Sequence, residues 1–298
     1  RMEQAGKEPI ERCGLFCGRG ATIRGEHARD SAPWVRIKNM RGKERVDVLL
    51  VERGLAESRS VAQRLVMAGQ VRVDGEMIHK PSARVAPGAE LRVEQGPRFV
   101  SRGGEKLEAA LEAFPIEVGG RICADVGAST GGFTDCLLQH GAERIYSIDV
   151  GRGLLHWSLR NNPRVVVMEG TNARLLQHLP ETVSLVSMDA SFISLRLLFP
   201  AVRRWLEGEG GEVIALVKPQ FEAGRKVVGR GGVVRDPLVH QSVMEGVMAS
   251  AVAEGLNPRG GLRSPLLGPK GNQEFLLWCT TQPSPIAPAA LLEALFES

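Results

Sequence analysis

Over the last two thirds of the chain, short apolar runs at 122–126, 144–148, 165–168, 184–188 and 212–217 recur between stretches of helical period. Runs of this length without strict alternation read as strands buried on both faces, and their alternation with helices predicts an α/β, doubly wound, largely parallel sheet. A sixth run at 274–279 follows a long stretch rich in Gly and Pro that reads as loop, and a helix is predicted ahead of the sheet over 105–114. Between about 45 and 94 the pattern changes to a short helix stopped at Gly54, a second helix opened by Ser58, and short strands broken at Asp74-Gly75 and Pro87-Gly88. That predicts a small α+β domain. Residues 1–39 show no sustained periodicity and read as a disordered extension. The expected organisation is therefore an extension over 1–43, the small domain over 44–95, a short basic linker over 96–104, the large domain over 105–281 and a compositionally biased tail over 282–298.

The end of the first long strand carries the most chemistry. RICADVGASTGGFTDCLLQH runs from an apolar strand through a glycine-rich turn into a helix, at the carboxyl end of the strand where open α/β sheets bind ligands. Gly127, Gly131 and Gly132 are read as letting backbone approach a ligand without a Cβ in the way. Twenty-four residues after Asp125, at the end of the second strand, stands Asp149, which can accept bonds from both ribose hydroxyls of a nucleoside. The turn lacks the G-x-G-x-x-G spacing of a dinucleotide site, and Asp125 beside it would repel a pyrophosphate. It suits a cofactor carrying an ammonium and a sulfonium, and S-adenosylmethionine is the better tenant. Asp189 and Lys218 close two further strands and face the same crevice.

Composition narrows the class. A chain of 298 residues with 43% hydrophobic content can bury one sizeable core and a small one. No apolar run reaches the roughly 18 to 20 residues of a membrane span, and the first residues lack the order of a signal peptide, so a cytoplasmic location without membrane attachment is expected. Five cysteines, odd in number, argue for reduced thiols. Cys13 and Cys17 are spaced C-x3-C with no second pair, the histidines share no ligand spacing, and no metal is expected. The net charge of +4 permits a polyanionic partner. Trp157, Trp205 and Trp278 are expected to pack rather than stack on bases.

The segment RVDVLLVERGLAESRSVAQRLVMAGQVRVDGEMIHKPSARVAPG resembles the alpha-L RNA-binding module of a small-subunit ribosomal protein, tyrosyl-tRNA synthetases and pseudouridine synthases. Leu50, Gly54-Leu55, Ser58-Arg59, Ala62, Ile78 and the strand and turn at 69–75 carry the match. The resemblance implies binding of structured RNA, with Arg59, Arg64, Arg72 and Lys80 as phosphate contacts. Arg98 and Arg102 of the linker are added to that track. So are Arg225 and Lys226, in a glycine-rich basic loop read as an RNA-contacting lid.

SRGGEKL around Lys106, DVGASTGGFT, SIDVG around Asp149, MDASF around Asp189, VKPQFE around Lys218 and GNQEF around Glu274 together resemble the TlyA family of ribosomal RNA ribose methyltransferases, relatives of FtsJ with an RNA-binding module in front. The resemblance implies a Rossmann-like S-adenosylmethionine-dependent methyltransferase sheet behind a small RNA-binding domain. It also implies methylation of cytidine 2'-hydroxyls in rRNA of the large subunit or of both, so the expected partner is rRNA or a ribosomal subunit. The family's catalytic Lys-Asp-Lys-Glu set falls on Lys106, Asp189, Lys218 and Glu274. A lysine beside another cation and a sulfonium is pushed toward its neutral, proton-accepting form. Lys218 is accordingly predicted as base, Lys106 as the second cation near the oxygen, and the carboxylates as their orienters. For the cofactor, Gly127, Ser129, Thr130, Gly131, Gly132 and Phe133 are expected near the methionine moiety, Asp125 at its amino group, Asp149 at the ribose and Asn172 beside the adenine. The family often has Arg before this Thr-Asn pair, where Gly170 stands here. Alternatives are a base methyltransferase, disfavoured by Asp189-Ala-Ser-Phe192 and by the lack of a Pro-Cys turn, a non-catalytic assembly factor, and, weakest, a membrane-active haemolysin.

Overall fold

A computed structural model describes residues 42–94, 96–224, 227–229 and 231–297, and divides the chain into two compact units that part at Glu94. Arg225 and Lys226 of the expected lid, and Cys13 and Cys17, lie outside the described residues. The first unit consists of β1 (Glu44–Arg45), α1 (Val46–Glu52), α2 (Arg59–Met67), β2 (Val71–Val73), β3 (Glu76–Met77), β4 (Arg84–Val85) and β5 (Leu91–Val93). The Ser58 hydroxyl accepts from Val61 N and caps α2. Leu50, Ala62, Val66 and Val71 form a dry core against which Ile78 packs. Beneath the surface, the Asp47 carboxylate takes both guanidinium arms of Arg45 and bonds from Arg59 and Gln63.

The second unit runs α3 (Gly103–Ala113), β6 (Ile122–Val126), α4 (Gly132–Gln139), β7 (Arg144–Asp149), α5 (Trp157–Arg160), β8 (Val165–Glu169), β9 (Leu185–Met188), α6 (Phe199–Trp205), β10 (Glu212–Val217), α7 (Pro219–Glu222), α8 (Pro237–Ala253), β11 (Asn257–Arg263), β12 (Phe275–Thr280) and α9 (Pro288–Glu297). Its sheet is ordered β11-β12-β10-β9-β6-β7-β8. Strands β8, β7, β6, β9 and β10 are parallel, and β12 is antiparallel to both β10 and β11. Alternate side chains feed two cores: Ala124, Val126, Val186 and Met188 face one layer of helices, while Cys123, Ile145, Leu185 and Ile214 face the other. The order reverses at β6, whose neighbours are β7 and β9, so the binding crevice of a doubly wound sheet opens there.

The structure departs from the sequence reading in three places. The stretch read as loop before β12 holds an edge strand, β11, bulged between Pro258 and Gly260. Proline is tolerated at such an edge. Where a side chain at Gly260 would project lies Phe114, and at Gly261, Leu295 of α9. The biased tail ends in that helix, whose Phe296 ring meets Phe275. Trp205 is buried and Trp278 stacks on Phe114, but Trp157 is 71% exposed and does not pack. Among the described residues no helix is long and apolar enough to cross a membrane.

Candidate active site

Four parallel strands end side by side, and each delivers one element of the site. Along the carboxyl edge, β7 ends at Asp149, β6 runs into Gly127, β9 into Asp189 and β10 into Lys218. Because β12 runs antiparallel to β10, with Val217 opposite Phe275, its first residues lie at the same edge and bring in Glu274. Lys106 comes from the second turn of α3. Its approach depends on Gly132, since a Cβ there would stand 2.3 Å from Ser101 Oγ and 2.8 Å from Gly104 N.

The two lysines are held by different carboxylates. Lys106 Nζ donates to Glu274 Oε2 at 2.5 Å. Lys218 Nζ lies 2.6 Å from Asp189 Oδ1 and donates to Ser191 Oγ at 2.8 Å. Lys106, Lys218 and Glu274 are buried and Asp189 is half-buried, so two charges of each sign balance where water screens them little. Among the described residues, Glu274 Oε1 and Asp189 Oδ1 are buried without a hydrogen-bond partner, the latter lying 2.6 Å from Lys218 Nζ as an ion pair. All four side chains line one cavity of about 330 Å³, with Arg102, Gly127, Ser129, Thr130, Gly132 and Phe133 in its walls.

A second cavity of about 370 Å³ shares Gly127, Ser129 and Asp189 with the first and extends to Asp149 and Asn172 between apolar walls that include Ile148, Val150 and Ile193. The Asp149 carboxylate accepts Ser129 N at 2.8 Å and Gly151 N at 2.7 Å, which fixes it across the crevice and leaves lone pairs for a ligand. Glu169, at the end of β8, accepts from Gly153 N, Leu154 N and Arg160 and so holds the loop that carries Val150 and Leu154. The Arg160 guanidinium, with the Gly153 and Leu155 amides, brings its carboxyl down to about 2.

Two expected cofactor residues lie elsewhere. Asp125 is fully buried, accepts from Thr134 Oγ1 at 2.7 Å and Ser187 Oγ at 3.2 Å, and lines neither cavity. Burial pushes its carboxyl up to about 7. The bonds it makes go to hydroxyls inside the sheet. Gly131 also lines neither cavity, and its missing side chain makes room for Leu159 and Leu155. Ser191 and Phe192 were not singled out from sequence. Phe192 is 91% exposed at φ +64, an unusual backbone state for an aromatic residue, and leans on Phe221 with ring centroids 5.1 Å apart. Their signal was position, two and three residues past Asp189.

The residues expected to meet RNA fall into two groups. Arg64 and Lys80 are exposed. Arg59, Arg72 and Arg98 are tied to Asp47, Glu94 and Glu108, with side chains 55%, 36% and 58% exposed. Arg102 is exposed at the rim of the first cavity.

The sequence pattern of the FtsJ-like methyltransferase family matches residues 99–281, and that of the S4 domain matches residues 44–91. The chain is 48% identical over 249 residues to the 16S/23S rRNA (cytidine-2'-O)-methyltransferase TlyA of Mycobacterium tuberculosis, covering 82% of this chain and 92% of that protein. It is 34% identical over 182 residues to the 23S rRNA (cytidine-2'-O)-methyltransferase TlyA of Campylobacter jejuni, covering 60% and 70%. A solved structure from Streptococcus thermophilus that bears a hemolysin name matches with a TM-score of 0.64 at 45% identity, covering 85% of this chain and 94% of that one.

Proposed function

This chain belongs to the TlyA family of FtsJ-like methyltransferases, and we propose that it methylates the 2'-hydroxyl of a cytidine in ribosomal RNA with S-adenosylmethionine as donor. The observation that carries the reading is the gathering of Lys106, Asp189, Lys218 and Glu274 around one cavity that shares a wall with the Asp149 cavity. The second cavity fits an adenosine: Asp149 offers acceptors for ribose hydroxyls, Asn172 stands at the edge, and Val126, Ile148, Val150, Leu154 and Ile193 supply apolar wall. Bound there, the cofactor supplies a methyl carbon on a positively charged sulfur.

The chain's own groups supply the proton chemistry. A ribose hydroxyl is a very weak acid, so a base must take its proton as the oxygen attacks. As the neutral amine, Lys218 donates to Ser191 Oγ, lies 2.6 Å from Asp189 Oδ1, and keeps a lone pair for the hydroxyl proton. Lys218 takes the proton, and Lys106, held by Glu274, lies where negative charge grows on the oxygen. Fixing both lysines supports catalysis by placement, since a displacement without covalent intermediate gains much of its rate from alignment. Phe192 offers an exposed ring beside Lys218 on which a splayed nucleobase can stack.

In the first unit, Arg64 and Lys80 offer exposed cations to phosphates, and Arg59 and Arg72 offer the exposed faces of paired guanidinia. The test is transfer of labelled methyl to separated small and large ribosomal subunits, with Lys218→Ala alongside. Label on a cytidine ribose is expected from the natural chain, with none from the variant although it still binds cofactor. Turnover by the variant removes Lys218 from the base role, and label on a base overturns the reaction assigned.

A further inference from the structure

Outside the site, α3 and α4 bring a carboxylate, a thiol and an imidazole together. Cys136 lies on α4 and His140, four residues on, caps its C-terminus beside it, and Glu108 reaches them from α3. Glu108, Cys136 and His140 each offer one ligand atom, and these atoms lie within 4.8 Å of one another. Cys136 Sγ is 3.5 Å and His140 Nε2 is 2.7 Å from the same oxygen, Glu108 Oε2. The other oxygen, Oε1, is held by Arg98 at 2.5 Å.

We propose that Glu108, Cys136 and His140 form a binding site for one thiophilic divalent cation, zinc foremost, which ties α3 to α4. Zinc takes sulfur, nitrogen and oxygen at about 2.0–2.3 Å in a tetrahedron, which sets ligand atoms roughly 3–4 Å apart. The sulfur–oxygen separation already has that value, and the nitrogen–oxygen pair must open by under ~1 Å. An arginine on the outer carboxylate oxygen is the kind of partner that orients a ligating carboxylate. Zinc binding sends the thiol proton to solvent, and thiolate plus carboxylate then cancel the metal's two charges. A hydrogen-bonded trio accounts for the same contacts, but a thiol is a weak donor and gains little from sharing an oxygen with a ring N–H. The His140 side chain is 32% exposed, which leaves an entry path and a fourth position for water.

The consequence is positional. Glu108 is two residues past Lys106, and α4 opens at the Gly132 end of the cofactor turn, so a metal here fixes the two helices that frame the site without touching the reaction.

Cobalt serves as the probe on metal-stripped full chain, in a Cys13→Ser/Cys17→Ser background that removes the other cysteine pair. One equivalent of cobalt is expected to give thiolate charge-transfer absorption and the visible bands of a tetrahedral ion. One equivalent of zinc should displace it, and Cys136→Ser should abolish the charge-transfer band. His140→Gln, nearer the surface, should weaken binding at least tenfold while the protein stays folded by circular dichroism. No charge-transfer band, or a band that survives Cys136→Ser, overturns the proposal. So does unchanged affinity in a folded His140→Gln.

Discussion

Asp125→Asn tests whether the acid of the glycine turn belongs to the cofactor or to the sheet. In the native chain its carboxyl is pushed up by burial from an ordinary 3.8 to about 7, against the opposing bonds from Thr134 and Ser187. The raised group keeps its proton in the folded state over a range where the unfolded chain has lost it. Stability is therefore highest below about pH 4 on this account and falls as pH rises to about 7, beyond which the loss is complete. At about 1.4 kcal/mol per tenfold change in proton affinity, that interval is worth about 4 kcal/mol. Asparagine has nearly the same shape, and the two hydroxyls can turn to meet its amide, so the variant should lose up to one proton of pH dependence. Urea midpoints from pH 4.5 to 8, followed by the buried Trp205 and the half-buried Trp278, read this directly. Cofactor affinity should change less than threefold, whereas Asp149→Asn should cost tenfold or more through the lost charge-assisted bonds. An unaltered stability slope, or a cofactor affinity as damaged as that of Asp149→Asn, refutes the reasoning.

Gly127→Ala should cut turnover about a hundredfold. Its φ of +83 alone costs about 1–2 kcal/mol with a Cβ, and that Cβ would stand 2.7 Å from the Asp189 carbonyl oxygen and displace the backbone that carries the Lys218 partner; single-turnover methyl transfer measures it, and undiminished turnover contradicts it. Asp47→Asn should destabilise the first unit by about 3 kcal/mol, the low end for breaking a buried ion pair because its arginines stay partly solvated, as chemical unfolding will show. The Asp47 carboxyl is held well below the usual range, first by Arg45, so the natural chain should also lose this contribution as pH falls through and below the ordinary carboxylate range, and the variant should not. Arg64→Ala and Lys80→Ala should each weaken RNA binding and lower the slope of log affinity against log salt by about 1; a slope equal to that of the natural chain removes the residue from the phosphate track.

What could be read from the sequence followed local rules, and what could not depended on partners distant in the chain. The parallel strands and the row Asp149, Gly127, Asp189 and Lys218 follow from apolar runs that end in polar residues. Lys106 and Glu274 join that row only because β12 reverses direction beside β10 and because α3 settles on the Gly132 end of α4. No local pattern encodes either, which is why a family resemblance was needed to gather them. The edge strand β11 was hidden by Pro258, Gly260 and Gly261, residues that locally signal a loop. Their reason is tertiary, since Phe114 and Leu295 fill the space that side chains there would take. Asp125 illustrates the same limit: its position suggested a ligand, whereas the bonds it makes, to Thr134 and Ser187, come from residues distant in the chain.

The glycines of the site carry this further. Read from sequence, a glycine-rich turn beside a strand makes room for a ligand. In the fold, the place of each missing side chain is already claimed by the protein: the Asp189 backbone at Gly127, Leu159 at Gly131, Ser101 and the start of α3 at Gly132. The turn is thus shaped from behind by three separate elements, and its inner surface is left to the cavities. Gly170 shows the same logic on the surface. The position often held by arginine in the family is glycine here, and the Arg152 guanidinium lies across it, 2.5 to 2.7 Å from where a Cβ would stand. A side chain at 170 and the present placement of Arg152 exclude each other.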